Sequence, residues 1–183
     1  MGKVIVGTTM SLDGFINDRN GDVSRLYPDL DALRKTEVLQ ESIRTTGAVV
    51  MGRRAYDMAQ GDLTDYEYQV PIFVLTHHVP QKAAKGENGR MKLFFVTDGI
   101  ESAVKQAKAA AGVRNVTVIG GANTAQQCIR AGLVDELHIE LRPVLLGAGL
   151  RFFEHLSAVH VELERTRVVE SFNFTHLEFR VVK

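Results

Sequence analysis

Residues Val116 to Gly132 read VTVIGGANTAQQCIRAG: an apolar β-rich run, two glycines, and a helix opening with Asn123 and Thr124. A short strand that passes at once into a helix is the building unit of an α/β chain. The start of such a helix offers free N–H groups and the positive end of its dipole, so it accepts a phosphate. Two glycines after Ile119, at Gly120 and Gly121, allow a ligand to approach the backbone closely and allow angles closed to other residues. Ala122, Asn123 and Thr124 then supply the first N–H groups and a hydroxyl. A plain strand-to-helix turn would use the same glycines. No G-x-G-x-x-G follows the first strand, so this is not the Rossmann fingerprint.

The same arrangement recurs. Val49 to Asp57, VVMGRRAYD, ends a strand at Gly52 and starts a helix with Arg53 and Arg54. Guanidinium groups clamp phosphates bidentately, although two arginines also suit a solvated helix start. Phe73 to His78, FVLTHH, ends a strand in Leu75, Thr76, His77 and His78. Adjacent histidines on a strand point to opposite faces, so no two-histidine metal site is expected there. Thr8 to Asn17, TTMSLDGFIN, ends the first strand and enters an Asp13-Gly14 turn. Asp13 is either a turn former or a carboxylate that orients a substrate or moves a proton. Each segment places polar or glycine residues just beyond the carboxyl end of a strand, where open α/β sheets bind ligands. Two helix starts at one edge suit a dinucleotide, and the arginines suit an added phosphate monoester. That combination points to NADP(H).

Strands are expected at Val4–Thr8, Ala48–Met51, Ile72–Leu75, Leu93–Val96 and Val116–Ile119. A helix is expected over Asp31–Thr46, stopped by Gly47, and another after Asp98, with Glu101 completing a capping box. His78 to Lys92 reads as a loop. The last third changes character: Leu137, Ile139 and Leu141, then Leu177, Phe179 and Val181, alternate with polar residues. Period two with one polar face marks an antiparallel pair. The chain therefore reads as one α/β domain over 1–183, a mixed sheet flanked by helices.

Composition removes several classes. Lys plus Arg number 22 against 22 Asp plus Glu, so no bulk basic field attracts nucleic acid or an anionic membrane. No apolar run approaches a membrane span, and the amino terminus lacks the long apolar region of a secretory signal. The single cysteine, Cys128, excludes an internal disulfide and a cysteine-rich metal site, fits a reducing cytoplasm, and reads as a core residue. There is no G-x-S-x-G, no Walker sequence and no H-x-x-x-H spacing.

The pieces appear in an order that resembles a known family. S-L-D-G ends at Gly14, V-M-G-R-x-x-Y spans Val50 to Tyr56, V-L-T spans Val74 to Thr76, V-I-G-G spans Val118 to Gly121, and G-L-V-D-E-L with P-V-L-L-G-x-G lies within Gly132 to Gly149. This is similar to the reductase domain of the bifunctional riboflavin-biosynthesis deaminase–reductase, a relative of dihydrofolate reductase, over Lys3 to Val182. The H-x-E and P-C-x-x-C of a zinc deaminase are absent. The resemblance implies a dihydrofolate-reductase-like three-layer fold with a mostly parallel sheet and an antiparallel carboxyl-terminal hairpin. It implies NADPH on Gly52, Arg53, Arg54, Leu75, Thr76, His77 and Ile119 to Thr124, with a diglycine often joined by a cis peptide. Thr8, Asp13 and Ile16 match the nicotinamide and substrate side. It also implies a small-molecule substrate and a homodimer. Dihydrofolate reductases hold their pterin with an acid on the first helix; here that region offers Asp29 and Asp31 without the surrounding motif. Pterin reduction and a nucleotide-binding module without turnover are the alternatives.

Overall fold

A computed structural model describes residues 2–82, 84–156, 160–171 and 173–183. In chain order its elements are β1 (Val4–Ser11), α1 (Leu30–Arg34), α2 (Glu37–Thr45), β2 (Thr46–Gly52), α3 (Arg53–Met58), β3 (Ile72–Leu75) and β4 (Leu93–Val96). There follow α4 (Ile100–Ala111), β5 (Asn115–Ile119), α5 (Ala122–Arg130), β6 (Glu136–Arg142), β7 (Leu163–Ser171) and β8 (Phe174–Val181). The strands form one 8-stranded sheet in the order β4-β3-β2-β5-β1-β6-β8-β7. From β4 to β6 every neighbour is parallel. The two last strands are antiparallel, β8 to β6 and β7 to β8.

Burial follows from that topology. Parallel strands need crossover helices, which cover the faces and leave the central strands without a wet side. Every residue of β2 except Thr46 is apolar or glycine, and the whole strand is buried. One face packs Val4, Val6, Val50, Val116 and Val118 against Ala103, Val104 and Ala107 of α4 and Cys128 of α5. The other packs Val49, Met51, Ile72 and Val74 against Tyr56 of α3, Tyr68 and Met91, with Leu39 and Ile43 of α2 at its margin. The predicted antiparallel pair is present, Leu137 opposite Phe179 and Ile139 opposite Leu177. Cys128 is fully buried, and desolvation pushes its thiol up to about 12.

Three expectations needed correction. The helix expected over Asp31–Thr46 is two helices, because Thr36 interrupts it: its hydroxyl donates to the Leu33 carbonyl (2.7 Å) and accepts from the Leu39 N–H (3.4 Å), capping a new helix. Gly47 is a residue of β2, not a left-handed helix stop. It is glycine for want of space: a Cβ there would lie 2.8 Å from the Ala111 carbonyl oxygen and 2.9 Å from the Ala111 Cα, at the end of α4. Asp98 does not cap α4; Gly99 does, at φ 102, with no side-chain bond. β7 was not anticipated at all. It is an edge strand, mostly exposed, and Glu164, Arg165 and Arg167 conceal any alternation of apolar residues.

Gly47→Ala is expected to keep the fold but lower its stability by about 1–3 kcal/mol through overpacking against backbone. Urea unfolding followed by circular dichroism measures this. An unchanged midpoint would show that the α4 end yields freely.

Candidate active site

The carboxyl edge of the parallel sheet carries a cleft of about 720 Å³. Gly52, Gly99 and Gly121 line it, and each is the N-cap of a helix: α3, α4 and α5 respectively. None of the three has a side-chain capping bond. The other two helices are capped, α1 by Asp29 and α2 by Thr36, and neither cap lines the cleft. A helix start leaves N–H groups without partners, which side chains normally satisfy. Here the starts with no side-chain cap are those that open onto one cleft. An anionic ligand satisfies such groups and gains from the dipoles.

The glycines are required by space as well as by angle. A Cβ on Gly52 would lie 2.4 Å from the Thr124 hydroxyl, and one on Gly120 would lie 2.7 Å from the Ala55 Cβ. Gly120 and Gly121 both have φ 78, a conformation that disfavours L side chains. The bond between them is trans, contrary to the cis peptide that the resemblance implied. The Gly52 N–H donates to the Gly120 carbonyl (3.4 Å), drawing the two turns together across the sheet edge.

Of the residues expected to bind the cofactor, Gly52, Arg53, Arg54, Leu75, Thr76, His77, Gly121, Ala122, Asn123 and Thr124 line this cleft. Thr8, Ile16, Ile119 and Gly120 are not in its lining. Ile119 and Gly120 lead into the Gly121 turn, and the Ile16 N–H donates to the carbonyl of Leu150, a cleft residue (2.9 Å). Arg53 is already engaged: its Nε bonds Asp57 (2.8 Å) and its Nη1 bonds the Thr76 hydroxyl (3.3 Å) and the His78 carbonyl (3.0 Å). It ties α3 to the end of β3. Arg54 is exposed and makes no ion pair among the described residues.

His78, read from the sequence at the same strand end, lines the cleft too, and several cleft residues were not anticipated: Thr97, Gly99, Gln126, Gln127, Leu150, Glu154 and His155. Gly99 was within reach, since Asp98-Gly99 before a helix reads equally as a glycine cap. Gln126 was hidden in the helix pattern. It is buried, and its amide donates to the Phe152 carbonyl (2.9 Å), fixing the loop that bears Leu150, Glu154 and His155.

Asp13 lies outside the cleft lining. Oδ1 accepts from the Ser11 hydroxyl (2.6 Å) and the Leu146 N–H (3.1 Å), and Oδ2 from the Gly147 N–H (2.7 Å). The Ser11 bond, then those N–H groups, draw its carboxyl down to about 2, against the opposing effect of partial burial. A carboxylate so held has no proton to give near neutral pH. It clamps the turn after β1 to the loop after β6.

The family described as the RibD C-terminal domain matches residues 2–174. The chain belongs to that family. It is 25% identical over 175 residues to the uncharacterized protein YyaP of Bacillus subtilis, covering 92% of this chain and 90% of that one. Its structure superposes on the diaminohydroxyphosphoribosylaminopyrimidine deaminase/5-amino-6-(5-phosphoribosylamino)uracil reductase of Thermotoga maritima with a TM-score of 0.76 at 19% identity, covering 99% of this chain and 57% of that longer one. A dihydrofolate reductase from Enterococcus faecalis complexed with NADP(H) superposes with a TM-score of 0.63 at 17% identity, over 100% of this chain and 98% of that one. The fold is thus dihydrofolate-reductase-like. No helix among the described residues is long and apolar enough to cross a membrane.

Asp13→Asn is expected to lower the melting temperature at neutral pH, because an amide cannot accept all three bonds. The folded-state pKa is depressed, so the carboxylate's contribution is present above 3.8 and is lost as pH falls towards about 2, where the two proteins converge. Melting curves across that range test it, and a constant gap would refute the clamp. Gly121→Val is expected to lower the melting temperature, because a β-branched residue is strained at φ 78; an unchanged melting curve would show that the turn relaxes freely.

Proposed function

We propose that the chain is an NADPH-dependent reductase acting on a 5-amino-6-(5-phosphoribosylamino)uracil-type substrate of riboflavin biosynthesis. One observation carries the cofactor part: three glycine-capped helix starts share a single cleft. Family membership supports the reaction class. The residues present fit the cofactor, since the starts of α3, α4 and α5 face the cleft without a side-chain cap and leave their N–H groups to an anionic ligand.

NADPH supplies the hydride when bound, and the protein's task is binding and orientation. Ala122 and Asn123 at the start of α5 would hold the pyrophosphate through their N–H groups. Leu75, Thr76 and His77 would flank the adenosine ribose, with Thr76 held in place by Arg53. Arg54 would meet the 2′-phosphate. Thr8, Ile16 and Ile119 would border the nicotinamide. The same reading takes the protein to be a single-domain cytoplasmic enzyme that works as a homodimer. The buried thiol of Cys128 suits a reducing compartment, and the exposed Leu163, Val168 and Val182 suit a partner surface.

Mixing the protein with NADPH and 5-amino-6-(5-phosphoribosylamino)uracil tests the assignment, read by loss of NADPH absorbance and by the mass of the reduced product. Dihydrofolate in parallel tests pterin reduction. Failure to bind NADPH would overturn the reading. Arg54→Ala is expected to weaken NADPH binding about 10- to 100-fold, for loss of a charge-assisted contact worth about 1.5–3 kcal/mol, with NADH binding unchanged. Arg53→Ala, by freeing Thr76 and His78, is expected to weaken both cofactors alike. Calorimetric titration separates the two arginines.

A further inference from the structure

On the face opposite α4 and α5, three neighbouring strands bring together a polar set that the cofactor cleft does not use. Thr9 of β1 pairs with Glu140 of β6, and Glu140 pairs with His176 of β8, so their side chains share one face. Thr9 and His176 are 4% and 2% exposed. The Thr9 hydroxyl donates to Glu140 Oε2 (2.5 Å). His176 Nε2 bonds the Ser171 hydroxyl (2.6 Å), while its Nδ1 is buried with no hydrogen-bond partner among the described residues, 4.0 Å from Glu140 Oε1. Burial, and to a lesser degree the Glu140 charge, pushes the Tyr27 phenol up to about 12.

This set stands beside open space. Gly7 points to the same face as Thr9, and a Cβ on it would meet nothing within 4 Å. Its ladder neighbours are Ile119 on one side and His138 on the other. The β1–β5 ladder ends at Gly7 and Ile119, whereas β1–β6 continues to Ser11 and Arg142. Beyond Gly7, therefore, β1 has no strand on the side where Ile119 passes into the diglycine turn. The β1–β5 ladder thus stops short of the Gly121 turn that lines the cofactor cleft, while the polar set lies further along β1 and β6.

An unpaired buried imidazole nitrogen costs free energy, and so does a largely buried carboxylate with one oxygen unoccupied. Glu140 Oε1 accepts no hydrogen bond among the described residues, with His176 Nδ1 4.0 Å away. Carboxylate oxygens accept two N–H groups from a planar partner, the strongest neutral-pH recognition open to them. The first-helix acids cannot do this: Asp29 caps α1, and the Asp31 side chain is 83% exposed beside Arg34.

We propose that Glu140 is the substrate-binding carboxylate of this reductase. It takes adjacent N–H groups on the edge of an aminopyrimidine ring lying over Gly7, and Thr9 is the positioning residue that fixes its second oxygen. The proposal rests on the reading under Proposed function for its reaction, but its geometry is independent of NADPH.

The probe is 5,6-diaminouracil, titrated by nuclear magnetic resonance with and without saturating NADPH. Glu140→Gln is expected to weaken the probe about 10- to 100-fold, while NADPH affinity stays within about twofold of wild type. Thr9→Val is expected to weaken the probe and Thr9→Ser to restore it, a rescue that a merely structural hydroxyl defect would not give at constant melting temperature. A wild-type crystal soaked with the probe places it within hydrogen-bonding distance of Glu140. Equal probe affinity in Glu140→Gln, no probe binding to wild type, or density elsewhere would each overturn the assignment. Loss of NADPH binding by wild type would instead overturn the cofactor reading, with the probe result on Glu140 standing on its own.

Discussion

Parallel pairing governs this molecule. A parallel ladder cannot be closed by a tight turn, so each strand must be followed by a return crossover that begins at the strand's carboxyl end. When β2, β3, β4, β5 and β1 all point one way, whatever follows them begins at the same edge. Three of those beginnings are helices with glycine caps. The cleft is thus a consequence of strand direction before it is a consequence of any particular side chain. Residues such as Arg53 and Gln126 act on the result, holding the strand end and the loop that form its walls.

Much of this was legible in the amino-acid order. Apolar runs that end in Gly52 or Gly120-Gly121 announce both the strands and the helix starts, because those signals are local. The alternation at Leu137 and Leu177 was equally clear, since polar side chains occupy one face of these strands and apolar ones the other. What escaped notice was non-local. Gly47 reads as a helix stop unless it is known that the end of α4 lies within 3 Å of its missing Cβ. β7 carries charges on an edge and has no burial pattern to betray it. Asp13 reads as a turn residue or a catalytic acid; only the approach of Leu146 and Gly147, far along the chain, reveals a clamp. Glu140 is one of the polar members of an alternating strand, and nothing in that alternation distinguishes an oxygen facing water from one beside a buried histidine.

The two sides of the sheet divide the chemistry. The helix-rich face and the carboxyl edge supply backbone N–H groups, which suit phosphates of any sequence of attached groups. The opposite face supplies side chains, which discriminate among ring edges.

The burial of Cys128 has a further use. A thiol with no exposed surface and a pKa pushed up to about 12 presents almost no thiolate to a soluble alkylating reagent. It reacts only when α5 leaves the sheet, so the rate of alkylation of the native protein measures how often that opening occurs. Because α5 begins at the diglycine, a ligand seated at its start would slow the same reaction. The lone cysteine thereby serves as a built-in chemical gauge of occupancy at the opposite end of its helix, with no label added to the protein.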